Sequence, residues 1–466
     1  MPELLLVDAV QATGGKLMGT GSASFRGASL DSRSVPDQGL FIAIHGEHAD
    51  GHDFVTAAFA HGAAAALVSR EVSLPDGRTL LLVPDVPAAL LALGRFVRLR
   101  EGWRTVAITG SIGKTTTKQI AATLLEGAGP LWATPGNRNG QLGIPESILN
   151  APAGARLWVA ECGMSFPGEL GRLAPVVAPE IVVYTNVAAV HLGNFRSIDE
   201  IEEAKEELIL GAGADATIVA NADDPRTRAI ALRHPGRRFL FGIDGDADLA
   251  ARDLVPSPDS IRFRLEERGG SQLPVDLPLA GRHNVSNFLA AASAALLLGI
   301  PLAEIAAKAA AIRPASRRGE RVPLPSGALL VDESYNSSPR ALEASAEAFG
   351  GLAAGKGRRI GILGEMRELG PDSLALHRET GRRIAPFFDE LVAVGGADAR
   401  ALVEGAREGG LEPKATRLLP TPESAAASVV ERLGAGDRIL LKGSRGVALE
   451  RALPALGLPA SGGKTS

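Results

Sequence analysis

Thr105-Val-Ala-Ile-Thr-Gly-Ser-Ile-Gly-Lys-Thr-Thr-Thr-Lys118 decides how this chain is built. The β-branched run from Thr105 to Thr109 reads as a buried strand. The Gly110-Ser111-Ile112-Gly113 turn ends it, and a helix-forming stretch follows to Leu125. Strand, glycine turn, lysine, threonine and helix in that order make a phosphate-binding loop. Gly110, Ser111 and Gly113 offer backbone N–H groups to an anion at a helix N-terminus, joined by Thr116. The Lys114 ammonium reaches the outer phosphates, and the Thr115 hydroxyl is placed to hold Mg²⁺. The usual Walker pattern has a further glycine where Ile108 stands, so this is a variant loop. ATP or GTP binding follows from it, but not the use to which the nucleotide is put. The chain lacks an Asn-Lys-x-Asp type signature for reading guanine, which argues against a GTPase switch.

At 466 residues the chain has room for roughly two to four domains. Its 49 basic against 53 acidic residues leave a formal charge of −4 with no basic stripe, so no nucleic-acid partner is expected. A single cysteine, Cys162, excludes an internal disulfide and a thiolate-rich metal centre. Met1 to Asp8 carries acids and no basic flank, unlike a signal peptide. The longest apolar run, Phe288 to Ile300, is too short to span a bilayer. The expectation is a cytoplasmic protein without stable membrane association.

The pattern divides into three α/β pieces. Residues 1–84 hold short apolar runs around a helical stretch from Phe54 to His61, and Pro84, Asp85 and Pro87 form a joint. Residues 85–313 alternate strands and helices (Trp158–Glu161, Ile181–Thr185, Ile198–Leu210, Thr217–Ala220, Asn284–Leu298), the pattern of a mostly parallel sheet covered on both faces. Within this piece, Asp246 to Pro278 reads as an antiparallel edge hairpin. Residues 314–466 repeat the alternation on a smaller scale, as a Rossmann-like unit whose last residues, 455–466, are expected to fray.

Several polar groups fall at strand ends, where parallel sheets bind ligands. Glu161 closes one strand and is either a metal ligand or a solvated acid. His191 follows another and is either a ligand or an ordinary loop histidine. Lys205 shares a helical face with Ile198, Ile201 and Leu208, in a helix otherwise studded with acids. Either it snorkels or pairs with Glu202 or Glu206, or it has a special task; the acids themselves read as a solvated face. Asn284 is a candidate cap for the helix that follows, with Asn287 one turn in and able to meet a base edge. Three loops follow strands of the last piece: Asp332-Glu-Ser-Tyr-Asn-Ser-Ser-Pro339, Gly364-Glu-Met-Arg-Glu-Leu-Gly370 and Lys442-Gly-Ser-Arg-Gly446. Together they point to a second ligand crevice.

In order, these segments resemble the Mur ligase family of ATP-dependent amide-bond ligases, and within it the D-alanyl-D-alanine-adding branch. The resemblance runs through the phosphate loop, Glu161-Cys-Gly-Met164, Asn186 to His191, Ala204-Lys205, Gly281-Arg-His-Asn-Val285 and the three loops just named. In the first piece it includes Asp31-Ser-Arg33 and Asp50-Gly-His-Asp-Phe54, similar to a UDP-binding end. The resemblance implies a small UDP-binding domain, a central ATPase domain and a closing Rossmann-like domain. It implies Lys205 as a carbamylated lysine and, with Thr115, Glu161 and His191, a ligand of what looks like a pair of Mg²⁺ ions. Lys114, Lys205, His191 and Glu161 would carry the catalysis, and Asn287, Arg318 and Asp332 would contact ATP. Ser32, Arg33, Asn336, Lys442, Ser444 and Arg445 would bind substrate. The implied substrates are UDP-N-acetylmuramoyl-tripeptide and D-alanyl-D-alanine, joined by a monomer in cell-wall precursor synthesis. The alternatives are another Mur-type ligase, tripeptide-forming or folylpolyglutamate-like, and a non-catalytic P-loop ATPase. Four positions depart from the family pattern: Gly140, Arg317 where a glycine is usual, Glu333 where aspartate is, and His45 where lysine often stands.

Overall fold

The stretch from Thr105 to Thr109 forms the expected strand, Arg104–Thr109, inside a nine-stranded sheet. The computed structural model describes every residue except 2, 47–48, 74–76, 190–192, 258, 315, 353–356 and 460–466. From one edge the strands run Leu131–Ala133, Leu157–Glu161, Arg104–Thr109, Ile181–Tyr184, Thr217–Asn221, Arg238–Gly242, Leu249–Pro256, Ile261–Glu267 and Gln272–Leu277. All pairings are parallel as far as Leu249–Pro256, and the last two are antiparallel. The expected edge hairpin is therefore a three-stranded meander, because its first strand also continues the parallel ladder from Arg238–Gly242.

Alternation along Arg104–Thr109 sends Val106 and Ile108 to one face and Ala107 to the other. The first face packs on the helices Lys114–Leu124 and Arg282–Leu297; the second packs on Val86–Glu101, Glu169–Val177 and Ile198–Leu210. The chain leaves Arg104–Thr109 toward Leu131–Ala133 on one side and later crosses to Ile181–Tyr184 on the other. The crevice at such a switch point is where an open α/β sheet binds its ligand.

A five-stranded sheet (Lys16–Gly19, Thr79–Leu82, Ala65–Val68, Leu40–Ile42, Ala28–Ser29) precedes this one. A six-stranded sheet follows: Glu320–Pro323, Leu329–Glu333, Arg438–Lys442, Arg359–Gly364, Glu390–Val394 and Thr416–Leu419. Each is parallel apart from its first strand. The molecule is thus a three-domain α/β protein. Helix Val86–Glu101 begins at a real cap, with the Asp85 carboxylate accepting from Ala88 N at 2.9 Å. It shares one apolar core with the first sheet and the central one. Its Arg98 donates to the carbonyls of Val177 and Ala178 and so closes the end of the neighbouring helix.

Three local expectations are corrected. The last residues do not fray from 455: Pro454–Leu456 forms a 3₁₀ turn and Leu456 is buried against the third domain's core. Residues 460–466 lie outside the described residues. The acids of helix Ile198–Leu210 are not a solvated face. Glu202 and Glu206 pair with Arg226 and Arg233, and Glu207 accepts from the backbone of Gly168 and Gly171. Asn284 does not cap its helix. The helix starts at Arg282, and the Asn284 amide instead donates back to Ala280 O at 2.7 Å. Among the described residues no helix is long and apolar enough to cross a membrane.

Candidate active site

The phosphate loop is set by two glycines that no side chain could replace without strain. Gly110 has φ +143° and Gly113 φ +91°. A Cβ on Gly110 would strike the Thr185 hydroxyl, and one on Gly113 the Asn287 amide oxygen. The loop is clamped from the adjacent strand end. Asn186 Oδ1 accepts from Ile112 N at 3.0 Å, its amide donates to Ile112 O at 2.9 Å, and Ser111 Oγ donates to Ala188 O at 3.0 Å. Ser111 therefore spends its hydroxyl on holding the loop and leaves its backbone for a ligand. Gly113→Ala is expected to weaken ADP binding about tenfold or more, because strain of about 1–3 kcal/mol falls directly on the cradle. Calorimetric titration of the folded variant checks this, and unchanged affinity would reduce Gly113 to a simple turn.

Lys114 opens the helix after the loop, and its Nζ donates back to Gly110 O at 2.6 Å and Ser111 O at 3.2 Å. Burial lowers its pKa, the charge of Glu161 opposes that, and Arg318 adds to it. Thr115 Oγ1 donates to Glu161 Oε1 at 3.1 Å, so the hydroxyl and carboxylate assigned to a metal already face one another. Glu161 is buried at the end of strand Leu157–Glu161. Burial resists its ionisation, but Lys118, Lys114 and the Asn139 amide outweigh that and hold the carboxyl below its usual range. The reading of Glu161 as a solvated acid is thereby removed.

Lys205 is 3% exposed, and among the described residues its ammonium has no hydrogen bond or ion pair. Burial, then the charge of Lys114, pushes its pKa well below the usual lysine range. The pairing with Glu202 or Glu206 does not form, since Arg226 and Arg233 hold both acids. His191 lies outside the described residues. Thr116 sits half-buried in the first turn of the helix, and Asn287 is buried beside Gly113, its Oδ1 3.4 Å from Thr117 Oγ1.

Sequence reasoning missed Lys118. Its Nζ lies 3.1 Å from Glu161 Oε2 and donates to the carbonyls of Thr134 and Gly136, tying the neighbouring strand end to the carboxylate. Its spacing of four from Lys114 was the available signal. The departure at Gly140 spares this contact, because Asn139 supplies the amide to Glu161 Oε1 at 2.8 Å.

From the first domain, Leu30 N donates to Glu146 Oε1 at 3.4 Å, and Glu146 pairs with Arg138. This brings the Asp31–Arg33 turn against the central loop that carries Asn139. Ser32 is buried there, while Arg33 is exposed and paired with Asp31.

The three loops of the third domain do converge. Lys442 Nζ donates to Glu333 Oε2 at 2.9 Å and Asn336 O at 3.2 Å. Ser444 Oγ accepts from Arg367 N at 2.9 Å and donates to Ser337 O at 3.3 Å, while Ser444 N donates to Glu365 O. Lys442 and Ser444 are buried in this lacing, whereas Asn336 and Arg445 remain exposed to a ligand. Glu333, the departure, also accepts from Ser345 Oγ at 2.5 Å, so its extra methylene is put to use. Asp332 is buried beneath them, its Oδ1 accepting from Ser334 N. Arg317, where glycine is usual, has φ +58°, which explains the family's preference; its guanidinium pairs with Glu450. Arg318 is turned toward the central domain, where its charge acts on both Lys114 and Glu161.

Three family models match the chain: Mur ligase family, catalytic domain, over residues 24–93; Mur ligase middle domain over 108–295; and Mur ligase, glutamate ligase domain, over 317–445. The UDP-N-acetylmuramoyl-tripeptide--D-alanyl-D-alanine ligase of Bacillus subtilis is 31% identical over 425 residues, covering 91% of each chain. A crystal structure of MurF from Acinetobacter baumannii superposes with a TM-score of 0.88 at 29% identity, covering 98% of this chain and 99% of that one. MurF ligase from Thermotoga maritima in complex with ADP superposes with a TM-score of 0.80 at 29% identity, covering 92% and 97%.

Proposed function

Since the chain belongs to the Mur ligase family, we propose that it joins D-alanyl-D-alanine to UDP-N-acetylmuramoyl-tripeptide at the expense of ATP. The observation that carries this reading is the phosphate loop itself, where Lys114 is folded back on Gly110 and Ser111, Thr115 faces Glu161, and the charge of Arg318 from the third domain acts on both Lys114 and Glu161. The domains divide as 1–84 for the UDP end of the substrate, 85–313 for ATP and the chemistry, and 314–466 for the dipeptide.

The tripeptide's terminal carboxylate attacks the γ-phosphorus, the bond to ADP breaks, and an acyl phosphate results. The dipeptide's neutral amine then attacks the acyl carbon, the carbon–oxygen bond to phosphate breaks, and phosphate leaves as the nitrogen loses a proton to solvent and the amide forms. Negative charge moves across oxygens in both steps. Lys114 is the cation that meets it from within the loop, and Arg318 the one that arrives with the closing domain. An acyl phosphate hydrolyses in open water, so a third domain packed over the loop also protects it. Asn336 and Arg445 face the incoming dipeptide on loops that Lys442 and Ser444 hold rigid.

Mg²⁺ suits the residues present and would neutralise phosphate charge at Thr115 and Glu161. Among the described residues no three His, Cys, Asp or Glu side chains converge on a metal. Besides Thr115 and Glu161, Lys205 is suited to supply a further oxygen ligand once carbamylated. A buried amine of depressed pKa is a nucleophile toward CO₂: its nitrogen bonds the carbon, one proton leaves, and a carboxylate-like carbamate stands where an ammonium would be costly.

Incubated with ATP, Mg²⁺, UDP-linked tripeptide and D-alanyl-D-alanine, the protein is expected to release phosphate and form the pentapeptide product, resolved by mass spectrometry. L-glutamate in place of the dipeptide is expected to give none. Equal turnover with a folate and glutamate would overturn the assignment.

A further inference from the structure

The chain has two tyrosines, and they do different things. Tyr184 is fully buried in the core. Tyr335 stands in the loop after strand Leu329–Glu333 with three guanidiniums around its ring. The Arg318 carbon lies 4.0 Å from the ring centroid, Arg317 5.7 Å and Arg445 5.9 Å. The register of the third sheet causes this meeting. Glu320 pairs with Asp332, and Gly319 N donates to Asp332 O, which brings the Arg317-Arg318 joint beside the Tyr335 loop. Glu333 pairs with Lys442 in the neighbouring parallel strand, which delivers Arg445 from the other side. Tyr335 N lies 3.4 Å from Arg317 O and ties ring and joint together.

The three cations are not equivalent. Arg317 has a carboxylate, Glu450, at 3.1 Å. Arg318 and Arg445 have none within ion-pair distance among the described residues, so their charges are left for anions from outside. Two like charges held near one ring repel. An aromatic face whose quadrupole attracts both offsets that repulsion without neutralising either charge, as a carboxylate would.

We infer that Tyr335 is a positioning residue that gathers Arg318 and Arg445 into one anion-binding array, Arg318 serving the γ-phosphate of the nucleotide and Arg445 the carboxylate of the acceptor. The inference rests on the ligase reading for the acceptor arm alone. The nucleotide arm needs only a triphosphate at the loop. One ring thereby couples the two ligands: an acceptor that draws Arg445 to its carboxylate works against the same platform that aims Arg318.

The test compares Tyr335→Phe, Tyr335→Leu and a series carrying phenylalanines of increasing ring fluorination at position 335, which weakens the quadrupole at nearly constant shape. Each protein is titrated with Mg·ADP and with a non-hydrolysable Mg·ATP analogue, and KM for D-alanyl-D-alanine is measured separately. Tyr335→Phe, which removes the hydroxyl's hydrogen bond to Arg318 and keeps the ring face, is expected to stay within about twofold of the parent. Tyr335→Leu is expected to lose about tenfold in affinity for the triphosphate and not for ADP, and to raise KM for the dipeptide similarly. The fluorinated series is expected to fall between them in order of fluorination, and it carries the test if the leucine variant does not fold. Triphosphate affinity that ignores fluorination, or a loss shared equally by ADP, would overturn the array. If the parent forms no pentapeptide but the graded loss of triphosphate affinity remains, the array stands and the ligase reading falls. Pentapeptide formation with no graded loss leaves the ligase reading in place and removes the array.

Discussion

Lys205→Arg is expected to be as inactive as Lys205→Ala, with turnover lowered on the order of a hundred- to a thousandfold in both. The alanine variant removes an amine that has no partner among the described residues, which offsets the cost of the space left by its buried stem, so the variant is expected to stay folded. What it loses is a buried amine, near the charge of Lys114, that could become an extra carboxylate. Arginine keeps the positive charge, but its guanidinium does not deprotonate and cannot add to CO₂. It would also force a permanent cation into a pocket that Lys114 already charges. Acetate is expected to restore part of the alanine variant's activity by occupying the vacated space, and to do nothing for the arginine variant. A salt-bridge role predicts the opposite: arginine would substitute well and acetate would be inert. Phosphate release under saturating substrates, alongside thermal melts, separates the two. Full activity in the arginine variant would return Lys205 to a structural role.

Lys114→Ala is expected to abolish turnover, by on the order of a thousandfold, while the fold is kept. Lys114 is the first residue of its helix, where alanine is well tolerated, and its hydrogen bonds to Gly110 O and Ser111 O are local ones that water can replace. No neighbour can take its place. Lys118 is committed to Glu161, Thr134 and Gly136, and Arg318 belongs to another domain. ADP release at a near-normal rate in a folded variant would show that charge at the loop comes from elsewhere.

The phosphate loop was legible because every part of it is local. A strand, a turn needing positive φ at two glycines, and a helix N-terminus follow within fourteen residues, and short-range sterics fix their order. The three-domain α/β plan was legible for the same kind of reason, since apolar runs of strand length alternate with helical ones. Lys205 stood out as a cation on an apolar stripe, but the helix by itself could not say whether an acid met it. Only packing shows that Arg226 and Arg233, from the next helix, have already claimed Glu202 and Glu206.

What the sequence by itself determined, then, is the loop, the alternation and the oddity of Lys205. The tertiary structure decided the rest. It gave Lys118 to Glu161, turned Lys442 and Ser444 inward as struts, left Asn336 and Arg445 facing out, and set Tyr335 among three arginines. These relations join residues from under twenty to over a hundred positions apart, most of them through sheet register, and register depends on which strands become neighbours. A pattern of hydrophobicity fixes that a strand exists and which face it buries. Which loop ends beside which is settled only when the sheet closes its order.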